Sequence, residues 1–192
     1  MRLIVIVLCV LVIGAAFSAI SQAPPQPAGP EYTKDGLLNF PKDYRQWVFL
    51  SSGLGMTYGP AGNTDGAGNP RFDNVFVNPA AYQSFLKTGT WPDKTVFVLE
   101  VRRSQSKVSI NNGGRVQGEL LALEVEVKDA SRFPTKWAFF DFSDTFQAKA
   151  IPATAGCYSC HREHGAVDNT FVQFYPTLND VAKVKGTLRG NQ

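Results

Sequence analysis

Near its C-terminal end the chain reads Cys157-Tyr158-Ser159-Cys160-His161, and Cys9 is the only other cysteine among its 192 residues. C-x-x-C-H is the pattern of c-type haem attachment. Two thiols add across the two vinyl groups of the porphyrin, and one helical turn spans the pair. The next residue then carries an imidazole to the iron. On this reading Cys157 and Cys160 hold one covalent haem c and His161 is the proximal iron ligand, leaving the sixth position to the rest of the fold. A small domain that encloses a large flat apolar ring needs aromatic side chains, and this chain has 14 Phe.

Rival uses of the motif fit less well. A thioredoxin-like redox pair belongs near the start of a βαβ unit, whereas this one sits late, after an antiparallel pattern, with a His directly behind it. A zinc site would have to recruit Cys157, Cys160, His161 and His164, which are four ligands within eight residues. Zinc sites space their ligand pairs further apart. His164 lies three residues from His161 on the same side, so it reads as a solvated or supporting His rather than a ligand from across the ring.

The N-terminus begins with Met1-Arg2, continues through an apolar run over residues 3–17, and ends in small residues around Ala19, Ser21 and Ala23. That is the order of a secretory signal peptide, and the run is short for a membrane span. Residues 1–23 are therefore read as a signal peptide and the mature protein as periplasmic, with no membrane attachment after cleavage. Export agrees with haem, because c-type attachment takes place outside the cytoplasm. The mature chain retains only Cys157 and Cys160, so it is not a disulfide scaffold. The net charge of +3 falls to +2 when Arg2 leaves, too little and too dispersed for a nucleic-acid partner.

Residues 24–36 are Pro-rich and polar at their start and read as a disordered leader. The haem domain is set at 37–192. Residues 51–69 look like a long loop rich in Gly, Ser and Asn. Strands are expected at 72–77, 95–103, 119–128, 137–142 and 169–175. Helices are expected from Asn78-Pro79 to Gly89, around the Cys pair, and over 178–185 before Gly186. In the strand over 119–128, Leu121, Leu123, Val125 and Val127 share one face and Glu124, Glu126 and Lys128 the other. The fold class is α+β: a mainly antiparallel β-sheet with a few short helices and covalent haem c near the C-terminus.

Several pieces, in order, resemble the cytochrome P-460 and cytochrome c′-beta family over roughly residues 44–178. They include Tyr44-Arg45-Gln46-Trp47-Val48, Asn74-Val75-Phe76-Val77-Asn78-Pro79, Lys87-Thr88-Gly89 and Trp137-Ala138-Phe139-Phe140. The haem motif and Gln173-Phe174-Tyr175-Pro176 close the series. The resemblance implies an antiparallel sheet carrying a haem, usually in a homodimer. It also implies a division by chemistry. Members similar to the P-460 enzymes oxidise hydroxylamine with a lysine cross-linked to the porphyrin edge. Those similar to c′-beta lack that lysine and bind nitric oxide or carbon monoxide against an apolar, Phe-lined distal side. Here Val98-Leu99-Glu100 puts Leu99 where the cross-linking lysine is expected, and Lys94 is the nearest alternative.

Met56 is the only Met after the signal. It sits in the Gly-rich stretch, where it reads either as a thioether sixth ligand, the His/Met pairing that raises the potential for electron transfer, or as a filler of a core gap. If Met56 packs elsewhere, Phe72, Phe76 or Phe97 could cap an open iron. Because the resemblance implies a carboxylate that transfers protons in the enzymes, Glu119 and Glu124 invite that role. Five apart on a strand, they face opposite sides, so at most one faces the ring, and each reads first as a surface carboxylate. Three readings follow: an electron carrier with Met56 on iron and a redox partner protein, a nitric oxide or carbon monoxide binder, and, as the alternative, a hydroxylamine-oxidising enzyme. The loss of the lysine counts against the enzyme.

Overall fold

The computed structural model describes residues 29–57 and 68–189. The run read as a signal peptide, residues 24–28 of the leader and much of the Gly-rich stretch lie outside the described residues. In chain order the elements are β1 (Leu38–Asn39), a 3-10 turn (Tyr44–Gln46), β2 (Val48–Leu54), β3 (Arg71–Val77), α1 (Pro79–Thr88), β4 (Val96–Gln105) and β5 (Val116–Lys128). There follow β6 (Trp137–Asp141), β7 (Gln147–Ala148), α2 (Gly156–His164), a second 3-10 turn (Val172–Phe174) and α3 (Pro176–Lys185). Strands β2 to β6 pair antiparallel in chain order, so five strands form one meander, and β1 pairs with β7 in a small ribbon. This is the α+β, mainly antiparallel architecture expected from the alternating segments.

Two apolar layers cover the sheet. On one face Val96, Val98, Val125 and Val127 pack with Leu38, Phe40, Tyr44 and Phe142. On the other, Val77, Phe97 and Trp137 pack with Phe85 and Trp91, and with Leu178 and Ala182 of α3. Both sides of the start of β4 are thus buried, which is why Val96-Phe97-Val98 runs without a polar residue.

Four local features differ from the sequence reading. Residues 51–54 continue β2 rather than starting a loop, because pairing with β3 (Ser51 with Val75, Ser52 with Asn74) overrides the low strand preference of Ser and Gly. Within residues 29–36, read as part of the leader, Tyr32 bridges to Leu38 and its ring lies beneath the Arg132 guanidinium, 3.9 Å away. Residues 169–175 form no strand. Asp168 and Asn169 take positive φ (54° and 65°), and the chain curls back against α2. Finally, Asn78 precedes α1 as read, but its side chain caps nothing.

The buried Asn78 amide instead ties the start of β4. Its Oδ1 accepts from Val96 N–H at 2.9 Å, and its Nδ2 donates to Lys94 O at 3.4 Å. Asn78→Ala leaves that strand N–H buried without its acceptor. The expected cost is about 1–3 kcal/mol, read as a lower urea midpoint with an unchanged slope. No change in midpoint would remove the tie. Among the described residues no helix is long and apolar enough to cross a membrane.

Candidate functional site

Helix α2 places Cys157, Cys160 and His161 at i, i+3 and i+4, on one face. Tyr158 anchors the helix. Its hydroxyl donates to Ile151 O at 2.9 Å, and its ring meets Phe139 of β6 edge-on with centroids 4.8 Å apart. The two thiols are free, and burial pushes that of Cys157 above its ordinary pKa. All three motif side chains line a cleft of about 290 Å³ on the sheet face that carries Phe97 and Leu99.

Strand register determines what else enters this cleft. Val75, Leu99 and Glu124 form one row across β3, β4 and β5, and Phe97, Glu126 and Phe139 form the next across β4, β5 and β6. Glu124 is the carboxylate of the expected pair that faces the site. Burial raises its pKa, with Asp141 directly opposite adding to the shift. Glu119 lies outside the cleft, exposed, with the Arg103 guanidinium 3.2 Å away.

The His161 ring is clamped between Phe139 and Phe171, at centroid distances of 4.6 and 4.5 Å. Its Nδ1 lies 3.0 Å from Asn169 O, with the carboxylate of Glu126 3.4 Å away. Burial alone would lower the His161 pKa. The Glu126 charge and the Asn169 carbonyl outweigh it, and the net shift is upward. Because Nδ1–H is given to a backbone carbonyl, the neutral ring keeps its lone pair on Nε2, the tautomer a metal ligand needs. Gly165 makes this contact possible. A Cβ there would stand 2.5 Å from both Asn169 C and His161 O, so only glycine lets the 169 backbone approach. Gly165→Ala is therefore expected to displace the Asn169 carbonyl, visible as a changed His161 tautomer balance in nitrogen-15 spectra of the haem-free chain. An unchanged balance would mean that the carbonyl does not set the tautomer.

Met56 lines the same cleft, with Ser51, Gly53, Asp73 and Val75 of the β2–β3 side. Its side chain folds back over Gly53, where an added Cβ would strike the thioether sulfur and lie 2.8 Å from Met56 Cγ. Gly53 belongs to β2, whereas His161 faces β5 and β6. Three strand spacings, roughly 14 Å, separate β2 from β5, and Leu99 of β4 lines the cleft between them.

Other expected residues lie elsewhere. Of the three Phe proposed as caps, Phe97 lines the cleft. Phe76 faces the opposite layer, against Tyr44 and Phe49, and Phe72 pairs with Leu54 and Arg102 on that side. Lys94 is held by Asp129 at 2.5 Å, outside the cleft. His164 is exposed at the end of α2. Sequence reasoning did not single out Glu126, Gly53, Asn169, Phe139 or Phe171. Of these only Glu126 left a signal, sharing the Glu124 side of a strand.

A family model described as cytochrome P460 matches residues 41–172, a span that holds the whole meander, α1 and α2. The chain belongs to the cytochrome P460 family. No curated protein matches the chain. Family membership makes this a cytochrome with a haem cofactor, and the residues present suit such a group. One cleft gathers two thiols, an imidazole with Nε2 available and a thioether, inside a mostly apolar lining. Soft sulfur and imidazole donors are the set that haem iron and thioether attachment use. Of this cytochrome P460 family member's residues, Cys157 and Cys160 would hold the haem edge and His161 its iron.

Proposed function

We propose that this protein is an exported c-type cytochrome that carries electrons, with one haem held by Cys157 and Cys160 and with His161 and Met56 as its axial ligands. The observation that carries the reading is the Met56 thioether, seated over Gly53 in the cleft that His161 also lines. Bound there, the haem supplies a one-electron couple at iron. The protein's own residues do the rest. His161 presents Nε2 because Asn169 occupies Nδ1. Phe139 and Phe171 fix the ring plane. Val75, Phe97 and Leu99 make the middle of the cleft apolar, and a thioether ligand favours the reduced metal.

Absorption of the matured protein tests this. The expected spectrum is six-coordinate and low-spin with a thioether–iron charge-transfer band, and Met56→Ala converts it to high-spin. An unchanged spectrum in Met56→Ala removes Met56 from the iron. Gly53→Ala, which displaces only the flexible end of Met56, is expected to produce the same high-spin fraction in part.

Binding of nitric oxide or carbon monoxide is the second reading, favoured by the aliphatic Val75 and Leu99 on the Met56 side of the cleft. Ferrous iron binds both gases without a hydrogen-bond donor. Hydroxylamine oxidation by way of a lysine cross-link is disfavoured. Leu99 occupies the central row, and no lysine is among the described lining residues. The reading also implies a periplasmic location, a redox partner protein and a homodimer. Exposed Phe49, Leu54 and Leu120 offer apolar surface for such a dimer, which sedimentation would reveal.

A further inference from the structure

One buried acceptor in the site belongs to Glu126. Glu126 Oε1 is shielded from solvent and has no hydrogen-bond partner. Its side chain is only 11% exposed, and the donor set beside it is His161 Nδ1 at 3.4 Å. Leaving such an oxygen unpaired costs about 1–3 kcal/mol, more for a charged group. The backbone cannot move it away, because Val125 and Val127 on either side are both buried. Its cross-strand neighbours, Phe97 and Phe139, are apolar and supply no counter-charge.

We propose that Glu126 is a positioning residue for His161, its carboxylate sharing the Nδ1 proton with the Asn169 carbonyl so that Nε2 becomes a stronger donor. This rests on the reading of His161 as an iron ligand. A carboxylate behind a ligating imidazole raises the basicity of the ligand and fixes its orientation. Negative charge beside the ring also stabilises the more positive ferric state over the ferrous. The structure thus assigns this protein a lower reduction potential than the same ligand pair would have with a carbonyl partner alone.

The test is the reduction potential of the matured protein, measured for wild type, Glu126→Gln and Glu124→Gln, each also with Met56→Ala so that the sixth ligand does not decide the result. Glu124 is the control: it lines the same cleft from the same strand but faces Asp141. Glu126→Gln is expected to favour the reduced form by roughly tenfold, an upward shift of about 59 mV for one electron. Glu124→Gln should shift it clearly less. An unchanged potential in Glu126→Gln, or equal shifts in both variants, overturns the proposal. If Glu126→Gln does not mature, Glu126→Asp, which withdraws the charge by one methylene, is read instead: a smaller upward shift supports the proposal and no shift overturns it. A wild-type chain that never acquires haem would be a different outcome, one that strikes the proposed function itself.

Discussion

Cys157→Ser combined with Cys160→Ser, in a chain secreted by a host that matures c-type cytochromes, is expected to emerge with the mass of the bare polypeptide and no Soret band. The wild type should carry one haem per chain. The effect is all-or-none because the two thiols are the only sulfurs on the α2 face of the cleft, one helical turn apart. Either single variant should retain one bond and part of the absorbance. His161→Ala separates attachment from ligation. Its thiols still face the cleft, so haem mass should persist while the proximal nitrogen signature is lost. A double serine variant that retains a covalent haem would overturn the assignment of these residues.

The second large effect lies on the reverse side of β4, next to Leu99. Glu100 is 2% exposed yet carries cationic partners. Its carboxylate takes the Tyr44 hydroxyl and the Arg45 guanidinium on Oε2, and Arg102 Nε at 2.5 Å and Asn74 Nδ2 at 3.3 Å on Oε1. Burial by itself would raise its pKa, but Arg102, Tyr44 and Arg45 together hold it below the ordinary glutamate value. Glu100→Ala strands the half-buried Arg102 and the Tyr44 hydroxyl. The expected loss is about 3–5 kcal/mol, a large part of a total of order 5–15 kcal/mol. Arg45 is 53% exposed and adds little to that figure.

The same site predicts a pH dependence. The folded pKa of Glu100 is depressed, so its contribution is full above the unfolded glutamate pKa of about 4.3 and is lost as pH falls through the lower folded value. Urea midpoints of wild type should therefore drop on acidification below that point more steeply than those of Glu100→Gln. Parallel curves would mean that the carboxylate is not ionised in the fold.

Much of the scaffold was legible from local pattern. The alternation of Leu123, Val125 and Val127 with Glu124 and Glu126 marks β5, and Asn78-Pro79 and Gly89 bracket α1, because side-chain period and backbone preference act over a few residues. The pattern failed where long-range pairing or packing decided. Ser51 to Leu54 became strand through β3, and 169–175 wraps α2 instead of pairing. The side bearing Glu124 and Glu126 turns out to face the cleft, since alternation says which residues share a face but not what covers it.

From the amino-acid order alone came the Cys157–Cys160–His161 motif and the strand-rich class, because each depends on residue identity at short spacing, and the resemblance added the expectation of a lysine where Leu99 stands. Only the tertiary structure could seat Met56 over Gly53, bring the Asn169 carbonyl and the Glu126 carboxylate to one nitrogen of His161, and bury Glu100 among its cations. Those partners lie between 2 and 55 residues apart, and the distant meetings depend on strand register and chain reversal, which no short window of sequence encodes.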